Sequence, residues 1–403
     1  VILFFSVELF SDWCYNLLCQ FKVLRFKPLV NLKNATHTML RRRKRMKKGI
    51  RKMLSAIACT ALAMGCLAGC GSNTGSPAAG TTTESAAENA SASASEAAAD
   101  STEGTAADDK VYQIGICQLV QHEALDRATQ GFEDALVKLL GEDHVQFNLQ
   151  NAQGDSQTCA TIANQFVNNG SDLIMANATA ALQACANATS TIPVVGTSVT
   201  SFAAALDIEL DDNSCTGINV TGTNDLAPLD QQAQIIADLF PDVKQVGILY
   251  CSAEVNSVYQ AEHIASYLDD LNIKHKDFSF SDSNDLQSVT NNCVSECDVI
   301  YVPTDNVVSS NQSIIDAVAR PAGVPIICGE ESQCTGCGLA SLSIDFYDIG
   351  YRAGEQAYDI LVNGKDPATM PVEDPQSLTR IYNPQIASDL GITLSDDYQA
   401  IEQ

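Results

Sequence analysis

The sequence predicts an α/β fold of two similar Rossmann-like lobes, each built on a parallel sheet, joined by a hinge that the chain crosses three times. Three observations carry this. From Lys110 onward, short apolar runs alternate with longer amphipathic stretches. The alternation then recurs in the same order. The opening run of each half also holds a glycine between branched residues, Ile114-Gly115-Ile116 and Val246-Gly247-Ile248. Strands alternating with helices put helices on both faces of a parallel sheet. A whole pattern that repeats means a duplicated unit.

The elements follow in order. Residues 111–117 form the first strand. Residues 126–140 are predicted helical, because Ala128, Phe132, Ala135, Leu136 and Leu139 recur on one face. Next come a strand at 145–149, a helix at 156–168, a strand at 173–176, a helix at 180–188 and a strand at 192–196. The second half repeats this with a strand at 243–250, a helix at 259–271 and a strand at 276–280. Asp298-Val299-Ile300 matches Asp172-Leu173-Ile174, and Val324-Pro325-Ile326-Ile327 matches Ile192-Pro193-Val194-Val195. A strand at 339–344 and a helix at 347–361 are expected to complete the first lobe. The tail, 378–381 and 384–390, is expected to complete the second. The lobes are therefore assigned as 110–222 plus 330–372, and 223–329 plus 373–403.

The chain before the lobes is of a different kind. Residues 46–70 join a basic start (Lys47, Lys48, Arg51, Lys52) to an apolar run over 53–68 and end Leu67-Ala68-Gly69-Cys70. A basic start and a short apolar run make an export signal. The run falls short of the about 20 apolar residues of a membrane span. The ending resembles a bacterial lipobox, which implies that Cys70 is the lipidated first residue of a mature, extracytoplasmic protein held at the membrane. A plain signal peptide and an anchor helix are the alternatives. Residues 1–45 fit neither signal nor domain and read as upstream translation, with Met46 or Met39 as the start; the alternative is an N-terminal membrane segment. Residues 71–109 contain no Lys, Arg, aromatic, Val, Ile or Leu. Nothing in them offsets the entropy of ordering a backbone, so they read as a flexible linker.

After Cys70 the chain carries ten Lys and Arg against 47 Asp and Glu, a net charge of −37. Such a surface repels nucleic acid and anionic lipid. Attachment to a membrane must then come from lipid rather than basic patches. Ten cysteines follow Cys70. Cys117, Cys159, Cys185, Cys215, Cys251 and Cys328 sit in or beside apolar segments, where a free thiol behaves as a small core residue. Cys334-Thr335-Gly336-Cys337 has three readings: a local disulfide in a tight loop, half a zinc site with Cys293 and Cys297 as weak partners, or a redox pair. The first is preferred.

Ligands of open parallel sheets bind beyond the carboxyl ends of the strands. Those ends are polar here. The first lobe offers Gln118, Leu119 and His122, then Thr179, then Ser198 and Thr200. The second offers Asn256 and Ser257, then Thr304 and Asp305. Two such rims facing one another make a cleft that closes on a small molecule. Catalytic signatures are missing from the sequence: there is no Gly-x-Gly-x-x-Gly after a strand, no Gly-x-x-x-x-Gly-Lys-Ser/Thr, no His-Glu-x-x-His and no Gly-x-Ser-x-Gly. The five histidines, at 37, 122, 144, 263 and 275, do not cluster. A non-catalytic binder without cofactor or metal is the expectation.

The segments Ile114-Gly-Ile-Cys-Gln118, His122-Glu-Ala-Leu-Asp126, Asn151-Ala-Gln-Gly-Asp155, Gly222-Thr-Asn-Asp-Leu226, Glu254-Val-Asn-Ser257, Pro303-Thr-Asp-Asn306 and Tyr347-Asp-Ile-Gly350 carry a resemblance. In their order and spacing the chain resembles the substrate-binding lipoproteins of ABC transporters, of the tryptophan/tyrosine type, with the type I periplasmic-binding-protein fold. It departs from that family's pattern at Gln121, at Ala180 and at Ser201-Phe202. The resemblance implies capture of an aromatic amino acid, delivery to an ABC permease and ATPase complex, and a monomer. Signalling through a sensor partner is the alternative role, and a sugar or nucleoside the alternative solute. On this reading the ligand carboxylate goes to Thr179 with Ala180 and to Ser198 with Thr200. Its ammonium goes to Asp305. Its ring lies against Leu119 and His122, with Asn256 and Ser257 closing over it. Thr179 and Asp305 are equally placed to be helix caps.

Overall fold

The computed structural model describes residues 110–402. Residues 1–45, the signal segment 46–70 with Cys70, and the linker 71–109 lie outside the described residues. Among the described residues no helix is long and apolar enough to cross a membrane.

The first sheet is built from β1 (Tyr112–Gln118), β2 (Val145–Asn151), β3 (Leu173–Asn177), β4 (Val194–Val199) and β5 (Val220–Asn224), all parallel, in the order β2-β1-β3-β4-β5. Between the strands run α1 (Glu123–Leu140), α2 (Ser156–Asn169) and α3 (Thr179–Ala188), and the short α4 (Phe202–Leu206) follows β4. Every residue of β3 and β4 is buried, as expected for strands covered on both faces. Phe166, Leu182 and Phe202 fill one face. Ile114, Phe132, Leu136 and Met175 fill the other.

The second sheet opens with α5 (Leu229–Leu239), β6 (Val246–Cys251), α6 (Val255–Asp270), β7 (His275–Phe280), α7 (Ser283–Glu296) and β8 (Val299–Val302). It continues through α8 (Asn306–Ser309), α9 (Gln312–Ala322), β9 (Ile326–Cys328), α10 (Glu331–Gly336) and β10 (Ala340–Ser343). After α11 (Phe346–Leu361) come β11 (Thr379–Tyr382), α12 (Pro384–Leu390) and β12 (Gln399–Ala400). The strand order is β12-β11-β10-β9-β8-β6-β7. Only the β10–β11 pair is antiparallel.

One sequence expectation needs correction, and one strand was not anticipated. The strand at 339–344 does not complete the first lobe: as β10 it pairs with β9 through Ala340↔Ile327 and Ser341↔Cys328. Only the one-turn-and-a-half α10 separates these strands, so sequence neighbours pair in place. The fifth strand of the first sheet is β5 instead. Its sequence, Val-Thr-Gly-Thr-Asn, is too rich in hydroxyls to stand out by apolar pattern. The chain passes between the sheets at 225–228, 344–345 and 374–378. The last passage is pinned to the first lobe. Glu373 N–H donates to Gly222 O and Asn224 N–H donates to Glu373 O, both at 3.0 Å. Arg352 grips the Glu373 carboxylate with Nε at 2.6 Å and Nη2 at 2.7 Å.

Two sets of glycines explain how close the layers come. A Cβ on Gly115 would stand 2.6 Å from the Phe166 ring, and one on Gly247 would collide with Cys293 Sγ. The repeated glycine of the two halves therefore has one role in each: it lets a crossing helix rest directly on the first strand of its sheet in chain order. The second set joins α11 to α1. A Cβ on Gly131 would overlap the Tyr347 carbonyl, one on Gly350 would overlap the Ala128 carbonyl, and one on Gly354 would stand 2.6 Å from Ala135 Cβ. The two helix backbones touch. Gly350→Ala is expected to lower unfolding free energy by about 1–3 kcal/mol through overpacking. Urea unfolding followed by circular dichroism measures this, and an unchanged midpoint would mean that the helices separate without penalty.

Candidate functional site

A cavity of about 530 Å³ lies between the carboxyl-end rims of the two sheets. The first lobe lines it with Leu119, Val120, Gln153, Gly154, Ser156, Thr179, Ala180 and Gln183. Facing these in the second lobe are Cys251, Ala253–Asn256, Ser281–Ser283, Asn306, Val307, Ser310 and Asn311. Leu119, Val120, Val255 and Val307 supply apolar wall. No Lys, Arg or His lines the cavity, and its charged side chains are Glu254 and Asp282.

Helices α2, α3, α6, α7 and α8 start at this cavity, three of them capped by an aspartate and two not. Asp155 caps α2 by accepting from Thr158 N–H at 2.6 Å. Asp282 caps α7 by accepting from Asn284 N–H at 2.8 Å. Asp305 caps α8 by accepting from Val308 N–H at 3.0 Å. At α3 the capping position is Ala178, which has no side-chain acceptor. Its backbone is at φ 90°, ψ 161°, a region costly for any residue with a Cβ. The helical ladder of α3 begins with Leu182 N–H on Ala178 O. The preceding amides of Thr179, Ala180 and Ala181 thus point their positive end out of the helix without a side-chain cap. Glu254, at the start of α6, makes no capping bond to its own helix either.

Of the ten residues singled out from sequence, Leu119, Thr179 and Asn256 line this cavity. The other seven are not among its lining residues. Gln118 Nε2 donates to Asp126 Oδ1 at 2.7 Å and Val120 O at 3.0 Å, and its Oε1 accepts from Thr129 Oγ1 at 2.7 Å. It braces the loop after β1. His122 Nε2 meets Asn306 Oδ1 at 3.2 Å across the lobes. Asn306 Nδ2 in turn donates to Glu254 Oε2 at 2.9 Å, so Asn306 Oδ1 accepts and His122 Nε2 donates across the lobes. His122 Nδ1, Ser198 Oγ and Asn177 Oδ1 are buried without a hydrogen-bond partner; Asn177 and Ser198 sit at the ends of β3 and β4, and His122 immediately precedes α1. Ser198 is also at φ 55°. Unpaired buried polar atoms and strained backbone concentrate where proteins bind ligands.

Thr200 belongs to the hinge. Its Oγ1 donates to Asp225 Oδ1 at 3.0 Å and accepts from Gln260 Nε2 of the other lobe at 3.2 Å. Thr304 N–H donates to Gln260 Oε1 at 3.0 Å, and its carbonyl accepts from Asn256 Nδ2 at 3.1 Å. Ser257 Oγ donates to Glu254 Oε2 at 3.3 Å. Asp305, expected at the ligand ammonium, is fully buried and commits both oxygens to backbone amides, Cys251 N–H at 2.7 Å and Val308 N–H. The helix-cap alternative describes its geometry. Burial, and then the Glu254 charge, push Asp305 up to about 7. Glu254 was missed as a site residue. Its sequence signal, an acidic residue between a strand and a helix, is that of an ordinary cap.

The cysteines occupy the core. All ten described cysteines are free and buried. Cys334 lies inside α10 and Cys337 ends it, so the segment is a helix and not the tight disulfide loop preferred from sequence. Both pack with Cys328 in the second-lobe core. Burial pushes Cys251, the one thiol on the cavity wall, up to about 12. Among the described residues no group of three His, Cys, Asp or Glu side chains is disposed to hold a metal ion.

A family model described as ABC transporter substrate binding protein matches residues 113–401. A tyrosine-binding protein of Clostridioides difficile is 37% identical over 276 residues, 68% of this chain and 79% of the relative. Among solved structures, an ABC domain from Streptococcus pneumonia in complex with L-Trp is 33% identical. It covers 71% of this chain and 97% of its own, with a TM-score of 0.68. A ligand-free, open substrate-binding protein with adhesive properties from Clostridium difficile is also 33% identical, covering 72% and 99%, with a TM-score of 0.58. At equal identity, the lobes here superpose better on the tryptophan complex than on the open structure.

The hinge carboxylate has a measurable consequence. Burial, with Glu330 adding to it and the Thr200 hydrogen bond opposing it, raises Asp225 from 3.8 to about 7. The unfolded chain releases this proton near pH 4, while the folded chain keeps it until about pH 7. Between those values the unfolded state binds fewer protons, so this group makes stability fall as pH rises. Asp225→Asn keeps an oxygen for Thr200 and removes the titration. Relative to wild type, the variant is expected to gain on the order of 2–4 kcal/mol between pH 4 and pH 8, read from urea unfolding at each pH. Parallel stability curves would show that Asp225 is not held protonated.

Proposed function

The chain belongs to the family of ABC transporter substrate-binding proteins, and we propose that it captures an aromatic amino acid in its inter-lobe cleft for import. The observation that carries this reading is the cavity's mixture of groups. The uncapped start of α3 offers Thr179 and Ala180 to a carboxylate. A neighbouring wall of Leu119, Val120, Val255 and Val307 suits a ring. The cavity is acidic and without a cation, which favours a ligand bearing an ammonium over a neutral sugar. The 37% identity to a tyrosine-binding protein supports the same class. In this reading the protein binds and releases its ligand unchanged, and burial keeps the Cys251 thiol on the cavity wall neutral.

In this reading Cys70 is the lipidated anchor outside the cytoplasm and residues 71–109 are the slack of the tether. The protein is a monomer that delivers its ligand to a permease and ATPase complex. Two measurements test it. Tyrosine, tryptophan or phenylalanine at a hundred times its dissociation constant should add about 2.7 kcal/mol to unfolding free energy, visible as a raised melting temperature. Melting curves unmoved by all three, but raised by a sugar or nucleoside, would replace the ligand class. Cys70→Ala should shift the protein from the membrane fraction to the soluble one or leave it unprocessed; unchanged membrane retention would remove the anchor.

A further inference from the structure

Glu254 is the cavity carboxylate with an oxygen to spare. It stands at the start of α6, caps none of that helix's backbone amides, and gathers donors from α6 and α8 alike. Its Oε2 accepts from Asn306 N–H at 3.1 Å, Asn306 Nδ2 at 2.9 Å, Asn256 Nδ2 at 2.9 Å and Ser257 Oγ at 3.3 Å. Four donors on one oxygen fix the carboxylate in a single orientation. Oε1 accepts from none of them. The other acidic residue on the wall, Asp282, is exposed and turned to its own helix cap. Asp305 has no oxygen free. Glu254 and Asp305 also repel one another, and a cation beside Glu254 relieves that repulsion.

We infer that Glu254 is the residue that recognises the ligand's ammonium group, and that the ligand's two charged ends are held by different lobes. This rests on the amino-acid reading above. The carboxylate end meets α3 of the first lobe and the ammonium end meets Glu254 of the second. A zwitterion then bridges the cleft and draws it shut, whereas a molecule with one charged end grips one lobe only. A charge-assisted pair is the strong kind of hydrogen bond, and losing it costs the ligand about 10- to 100-fold in affinity.

The test uses the mature chain with three probes: L-tyrosine, 3-(4-hydroxyphenyl)propionate, which lacks the ammonium, and tyramine, which lacks the carboxylate. Calorimetry gives affinity, and small-angle scattering gives the radius of gyration. For wild type, L-tyrosine should bind best and compact the protein, while neither single-charge probe compacts it. Glu254→Gln should weaken L-tyrosine about 10- to 100-fold and leave the propionate's affinity unchanged, which also shows that the variant is folded. Equal weakening of both, or none of either, overturns the assignment of Glu254. Compaction of wild type by the propionate overturns the opposite-lobe anchoring. Failure of wild type to bind tyrosine, tryptophan or phenylalanine overturns the amino-acid reading itself.

Discussion

The packing of α11 on α1 is the contact on which the architecture depends. It is made of backbone, because Gly131, Gly350 and Gly354 remove the side chains that would hold the helices apart. Its consequence is topological. The chain has already built ten strands in two sheets when α11 returns to the first of them, so the first lobe is made of two segments distant in sequence. That return forces the crossings at 344–345 and 374–378, alongside the first at 225–228. The Arg352–Glu373 fork, tying α11 to the third crossing, extends the same contact into the hinge.

The hinge itself is a buried polar chain. Asp225 accepts from Thr200, Thr200 accepts from Gln260, and Gln260 holds Thr304. Each link joins a strand end to a neighbouring element, and the Thr200–Gln260 bond passes from one lobe to the other. Buried networks of this kind are stable only when every member is paired. The cleft next to it is the opposite case. There His122 Nδ1, Ser198 Oγ and Asn177 Oδ1 have no partner, and α3 begins without a cap. Among the described residues, three of the six buried unpaired side-chain atoms lie at this rim, the others being Gln333 Oε1, Ser341 Oγ and Gln356 Oε1.

Most of the architecture was legible from periodicity, because parallel strands buried on both faces are apolar throughout and the helices between them are one-sided. The repeat was legible from Gly115 and Gly247. What escaped was polar or local. β5 hides in Val-Thr-Gly-Thr-Asn, and β10 follows β9 too closely to travel to the other sheet. At the site, sequence located the rims but not which side chains face the cavity. Asp305 and Glu254 occupy equivalent positions, each the last residue before a helix. Asp305 accepts from a backbone amide of its own helix, whereas Glu254 accepts from the side chains of Asn256, Ser257 and Asn306 and from the Asn306 amide, and no spacing in the chain encodes that difference.

A two-lobed binder closes only as far as its ligand distinguishes the closed state from the open one. Contacts made to one lobe are present in both states and contribute to affinity without moving the equilibrium. Contacts that exist only when both rims surround the ligand do move it, and a shift from mostly open to mostly closed takes several kcal/mol of such preference. The apolar wall of this cavity is shared between the lobes, but a ring slides along an apolar surface and fixes no separation. Charged ends do fix it. With an uncapped helix start on one rim and an oriented carboxylate on the other, the distance between a ligand's two charges sets the width at which the cleft is most stable. On the reading proposed above, the charge separation common to all α-amino acids selects that class, and the apolar wall chooses among its members.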